Sequence, residues 1–185
     1  MSERATRLFQ TADEQISELI ALLGAADQAA LCEQCAGREK LGDGTVAAVA
    51  MHAADNYHRI AEFLAAETQP GSRRPHRRHR IPASFRAHGP RDHSHSDGAG
   101  EYRCDKIDSR SLVERLVTAR ARLEPLAEFS DERLAAVPPA SEMRFADGQR
   151  TLEQIVVSLL NHQRQHCETL VAALASTGSS PLGGR

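Results

Sequence analysis

TLEQIVVSLLNHQRQHCETL, residues 151–170, reads as the opening and middle of a long amphipathic helix. Thr151 and Gln154 have capping-box spacing. Leu152, Ile155, Leu159, His162, His166, Leu170 and Ala173 then recur at steps of three and four, which assigns them to one inward face. Two of those inward positions are histidines one turn apart. Apolar residues flank them on both sides, so the expectation is a packed helix, running to about Ala175, with a polar pocket halfway along it.

Three further segments carry the same period. From Glu3 to Leu23, residues Ala5, Phe9, Ala12, Ile16, Leu19 and Leu23 form a stripe, and Gly24 follows as a stop signal. After LGDGT (41–45), with Asp43 or Thr45 as N-cap, a second stripe of Val46, Val49, His52, Asn56, Ile60 and Phe63 runs to near Glu67. A third helix is predicted from near Ser111, where Ser111 and Glu114 have capping-box spacing, through Leu112, Leu116, Ala119, Leu123 and Leu126. Pro125 should kink or shorten its last turn. VPPAS (137–141) and the turn ADGQ (146–149) lead into the final helix.

These four helices, with a composition rich in Ala, Leu, Glu and Arg and without tryptophan, predict an all-α four-helix bundle. At 185 residues it is expected to be one domain over 1–178, with a long loop at 69–104 and a flexible tail at 179–185. The loop contains RRPHRRHR (73–80) and HSHSDGAG (93–100), five of the nine histidines, and no apolar periodicity. Clustered arginines there suit phosphates, which makes a nucleic-acid or protein-partner binding module with a structural or sensory metal site the rival functional class. The formal net charge of −2 argues against the whole molecule as a nucleic-acid match.

No apolar run is long enough to span a bilayer, and MSERATRLFQ lacks the apolar segment of a secretory signal, so a soluble, cytoplasmic protein is expected. The four cysteines, Cys32, Cys35, Cys104 and Cys167, are read as mostly reduced thiols. Cys32-Glu-Gln-Cys35 has redox-motif spacing without a thioredoxin context, and a structural zinc site joining it to Cys104 and a loop histidine is an alternative. Cys167 points about 100° away from His166 and should pack against a neighbour.

A buried neutral imidazole needs a partner for each ring nitrogen, at a cost of about 1–3 kcal/mol for each group left unmet. His162 and His166, joined by His52 from another helix, form a three-histidine set suited to a divalent ion with one position left open. A di-iron carboxylate bundle would need paired Glu-x-x-His motifs, which the chain lacks. HQRQH also differs from the zinc-protease HExxH helix, because Gln163 cannot act as a general base. His58 is rotated away from His52 and is expected to be exposed, whereas Asp55 is placed to orient the His52 ring.

With TVAAVAMHAADNYHRIAEFL (45–64) and the NHQRQH pair, the chain resembles the DinB-like (YfiT-like) family of four-helix-bundle metalloproteins over roughly residues 3–68 and 105–175. The resemblance implies His52, His162 and His166 as ligands of a divalent metal, zinc first, with nickel or iron as alternatives. It further implies a metal-dependent S-transferase or isomerase that uses a low-molecular-weight thiol of the mycothiol or bacillithiol type on a small electrophile. A homodimer is compatible with the family. The long basic loop and the CEQC stretch depart from its pattern.

Overall fold

The computed structural model describes residues 2–68, 102–140 and 145–177. RRPHRRHR, HSHSDGAG and the tail 179–185 lie outside the described residues. Those described form an all-α structure: α1 (Glu3–Gly24), α2 (Gln28–Leu31), α3 (Val46–Thr68), α4 (Ser109–Leu123), α5 (Asp131–Ala135) and α6 (Leu152–Thr177). No helix among them is long and apolar enough to cross a membrane.

Local chemistry accounts for most helix ends. Ser2 caps α1 by accepting from the Ala5 amide at 3.2 Å. At the start of α3 the Thr45 hydroxyl accepts from the Ala48 amide and itself donates to Asp43 at 2.6 Å, so both candidate caps act in series. The capping box at α6 is reciprocal: Thr151 N–H donates to the Gln154 side chain at 2.9 Å, and Gln154 N–H donates to the Thr151 hydroxyl at 3.2 Å. In the preceding turn Gly148 takes φ +75° while Asp147 accepts from the amides of Gln149 and Arg150.

The start of α4 differs from the sequence expectation. Asp108 is the cap, accepting from the Ser111 amide at 2.7 Å, and Glu114 pairs with Arg110 instead of closing a box with Ser111. A carboxylate is the stronger acceptor at the positive end of a helix, so the helix begins two residues earlier. Pro125 acts as expected: α4 stops at Leu123 and the chain tightens into a 3₁₀ turn over Glu124–Glu128. The connection beyond it holds α5, capped by Ser130, which the proline-rich sequence did not suggest.

Each long helix packs against two others in the order α1, α4, α3, α6 and back to α1. The links from α1 to α3 and from α4 to α6 therefore join diagonally opposite helices of the ring. The first half of α3 is buried on all sides from Val46 to Ala50, and its alanines allow close approach of the neighbouring helices. Leu19, Leu112, Leu116 and Ile155 fill the centre, each worth about 1.5–3 kcal/mol of burial.

One buried polar chain crosses this core. Tyr57 on α3 donates to Gln15 Oε1 on α1 at 2.9 Å, and Gln15 Nε2 donates to the Leu160 carbonyl on α6 at 3.2 Å. The Cys167 thiol lies beside the same tyrosine hydroxyl, and burial pushes its pKa up to about 11. Tyr57→Phe leaves Gln15 Oε1 without its donor in a dry environment and should lower stability by about 1–3 kcal/mol; urea unfolding with an unchanged midpoint would contradict this wiring.

The cysteines correct the reading of four reduced thiols. Cys32 and Cys104 are joined in a disulfide, with Cα atoms 5.1 Å apart, while Cys35 and Cys167 are buried free thiols. The zinc alternative at Cys104 falls with that pairing, because its sulfur is committed. The pairing is supported by contacts between the two segments that carry the cysteines: Asp43 accepts from the Cys104 amide at 2.9 Å, the Asp43 amide donates to the Tyr102 carbonyl at 3.1 Å, and Gln28 Nε2 donates to the Cys104 carbonyl at 2.6 Å. Gly42, at φ +58°, lies so close to Tyr102 that a Cβ there would meet its carbonyl oxygen at 2.3 Å. Residues 102–104, expected as the end of a loose loop, are thus docked.

Candidate metal centre

His52 comes from α3, and His162 and His166 come from α6, the helix beside it. One ligand nitrogen from each lies within 4.8 Å of the other two. The Nε2 atoms of His162 and His166 are 3.0 Å apart, close to the roughly 3.3 Å that two imidazoles on one tetrahedral zinc would show. The rings meet edge to face, with centroids 4.6 Å apart for His162 and His166 and 5.0 Å apart for His52 and His166. Among the described residues no carboxylate or thiol joins this group.

Burial is graded across the three. His166 is 1% exposed, His52 is half-buried and His162 is exposed. Burial, then the neighbouring His162, His52 and Arg38, push the His166 pKa down to about 3, so its ring is neutral at neutral pH. Its Nδ1 has no hydrogen-bond partner among the described residues. Nδ1 stays unmet in either tautomer, at a cost of about 1–3 kcal/mol that an ion on the facing Nε2 atoms would not itself relieve; what such an ion would use is the pair of Nε2 lone pairs that the two neutral rings direct at each other. The residues fit a divalent ion.

The register of the inward face is corrected by about one position. On α6 the buried residues are Leu152, Ile155, Val156, Leu160, Gln163, His166, Cys167 and Leu170, and on α3 the row Val49, Ala53, Tyr57 and Ile60 faces in. His52 and His162 each precede a central residue, Ala53 and Gln163, and so stand about 100° around their helices. The cluster consequently sits on the rim of the α3–α6 seam, not in a pocket inside the core. An open depression of about 580 Å³ along α6, lined by Val157, Ser158, Asn161, His162 and Gln165 among others, gives it a solvent-facing side.

Gln163 is the residue that sequence reasoning set aside and the fold uses. It is 1% exposed, donates to the Ala53 carbonyl of α3 at 2.7 Å and faces the Asn56 amide at 3.5 Å. Asn56 in turn donates to His52 Nε2 at 3.0 Å. This network ties the two histidine-bearing helices beside the cluster. A signal existed: Val156, Leu160, Cys167 and Leu170 are all three, four or seven residues from position 163.

The expectation that Asp55 orients the His52 ring is not met. Its carboxylate accepts from the Tyr102 hydroxyl and from Arg115 on α4, and desolvation followed by the Asp55 contact pushes the Tyr102 pKa up to about 12. Asn56, one full turn from His52, occupies the place instead. His58 is not a ligand: its Nε2 donates to the Arg115 carbonyl at 3.0 Å and its Nδ1 accepts from Arg122 at 3.2 Å, which specifies the neutral Nε2–H tautomer. Cys167 is buried among core residues and Tyr57, as its offset from His166 predicted.

Arg38 is the other residue that its sequence did not single out. The turn between α2 and α3 is closed by Cys35 N–H to the Gly44 carbonyl at 2.9 Å and by the disulfide at its base. From this turn Arg38 reaches across to α6 and donates to the Thr169 hydroxyl at 3.2 Å. Comparison of the chain with known protein families, with curated proteins and with solved structures finds no match.

Proposed function

We propose that this chain is a divalent-metal-binding protein with a DinB-like four-helix-bundle architecture, acting as a transferase or isomerase that uses a low-molecular-weight thiol. The observation that carries the reading is the convergence of His52, His162 and His166 within 4.8 Å at a rim open to solvent. The ring of four mutually packed helices is consistent with that architecture.

In this reading the three imidazoles hold the ion, zinc first, through neutral nitrogens. His166 is kept neutral by burial, so it binds without first losing a proton. Gln163 and Asn56 hold α3 and α6 at a constant spacing next to the ligands. The exposed side at His162 leaves room for a small thiol and its electrophile. When bound, the ion supplies Lewis acidity that lowers the pKa of a thiol at its remaining position, which makes a thiolate nucleophile available at neutral pH. The chain's own thiols are poor substitutes, since Cys167 is buried against Tyr57 and burial also raises the Cys35 pKa.

Cobalt substitution tests this directly. With Cys35 and Cys167 replaced by alanine and the Cys32–Cys104 disulfide retained, titration of the cobalt-loaded protein with small thiols should produce a sulfur-to-cobalt charge-transfer band in the near ultraviolet. A cobalt-loaded protein whose spectrum no small thiol perturbs would rule out the thiol-dependent enzyme and leave a structural or sensory metal site.

A further inference from the structure

We propose that Arg38 reads a carboxylate on the small ligand of the histidine cluster, so that the preferred thiol is one that carries a carboxylate. This rests on the metal-and-thiol reading of the cluster and names the chemical class of its ligand.

The argument begins with where the guanidinium is held. Arg38 belongs to the turn between α2 and α3, yet its side chain crosses to α6 and donates through one terminal nitrogen to Thr169. Thr169 lies one turn beyond His166 and Gln165, and its own hydroxyl donates to the Gln165 carbonyl. Gln165 lines the depression that opens at His162. The cation is therefore held on the side of α6 that carries both histidines, one turn past the Gln165 end of that depression.

What it lacks there is an anion. Arg4, Arg7, Arg103, Arg110, Arg115, Arg120, Arg122 and Arg150 each pair with a carboxylate, whereas among the described residues Arg38, like Arg59, Arg133 and Arg164, has no carboxylate within 4.0 Å, and of these four Arg38 is the one bound to α6 beside the histidines. A half-buried guanidinium with a single neutral hydrogen bond keeps most of its five donors available. Its planar fork matches a carboxylate in a bidentate pair. The turn closed by the Cys35–Gly44 hydrogen bond and the disulfide, together with the Thr169 contact, positions that fork before a ligand arrives, which limits the ordering cost of binding.

The test compares 3-mercaptopropionate and mercaptosuccinate with the neutral 2-mercaptoethanol, using the cobalt-loaded protein and its charge-transfer band as the readout. Wild type should bind the carboxylate-bearing thiols about tenfold or more tightly than 2-mercaptoethanol, the scale of one charge-assisted hydrogen bond. Arg38→Gln should erase that preference while cobalt content and affinity for 2-mercaptoethanol stay unchanged. Arg38→Lys, which keeps the charge and loses the fork, should retain only part of it, and Thr169→Val should weaken it by loosening the guanidinium. Equal affinities of wild type for charged and neutral thiols, or a preference that survives Arg38→Gln, would overturn the assignment of Arg38 with the metal reading intact. Competition by inorganic phosphate as effective as by acetate would overturn the carboxylate preference. Failure of wild type to take up cobalt would bring down the metal reading itself, and this inference with it.

Discussion

His162→Ala should abolish stoichiometric metal binding while leaving the fold untouched. His162 is exposed and fills no core volume, so its removal tests ligation without the confounding loss of packing that His166→Ala would bring. Wild type is expected to carry close to one divalent ion per chain by elemental analysis. Loss of one of three imidazoles should weaken affinity by well over about 100-fold, since removing even a hydrogen-bond partner of a ligand costs 10–100-fold. The same change should appear in stability. Zinc at 100 times its dissociation constant adds about 2.7 kcal/mol to the folded state, which for a chain of this length raises the thermal midpoint by roughly 5–10 °C. His162→Ala and His52→Ala should lose that increment and keep the helical circular dichroism of the apo protein. A wild type with no bound metal and no thermal response to zinc would remove the basis of the proposed function.

Loss of the Cys32–Cys104 link should be the largest change in stability available without touching the core. The two cysteines are 72 residues apart in sequence, and the loop they close includes the whole of α3. Restricting the unfolded chain to a loop of that size is worth about 4 kcal/mol in the chain-entropy account, within a usual range of 2–4 kcal/mol. The Cys32→Ser, Cys104→Ser double variant should therefore unfold at markedly lower urea, with a steeper dependence on urea because its unfolded state is more open. Reductant should shift wild type the same way and leave the double variant unmoved. Thiol counting in denaturant under non-reducing conditions should find two free thiols, Cys35 and Cys167. Four would refute the pairing, and an unchanged urea midpoint in the double variant would refute its energetic role.

Helix identity and ends were readable because they depend on neighbours in sequence. Period, the Thr151–Gln154 box and Pro125 act within one or two turns, and the structure follows each of them, while Gly24, expected just past the end of α1, is its last residue and Ala25 is the cap. Where two local signals competed, as with Asp108 against Ser111, the stronger acceptor won and the boundary moved by one half-turn. His162 and His166 were legible as a pair for the same reason, sharing a face by spacing alone, while His52 breaks a stripe in another helix. Their positions around each helix were less certain in the sequence. Tyr57 and Gln163 are amphipathic, and only contact with Gln15 and Ala53 across the core lets them be buried in preference to His52 and His162.

The sequence by itself determined an all-α chain, the approximate span of its long helices and that His162 and His166 share one face, since all of these follow from interactions between residues a few positions apart; His52 joins them only because α3 packs beside α6. Tertiary structure alone decided that Cys32 pairs with Cys104, that Asp55 serves Tyr102 and Arg115 in place of His52, and that Arg38 reaches Thr169 on a helix 131 positions away. Each of those outcomes depends on how diagonal connections bring distant segments together, and on a partner's donor or acceptor being left over once its own helix is satisfied. No periodicity encodes that remainder; it exists only when α1, α3, α4 and α6 have packed and the groups that still need partners are facing one another.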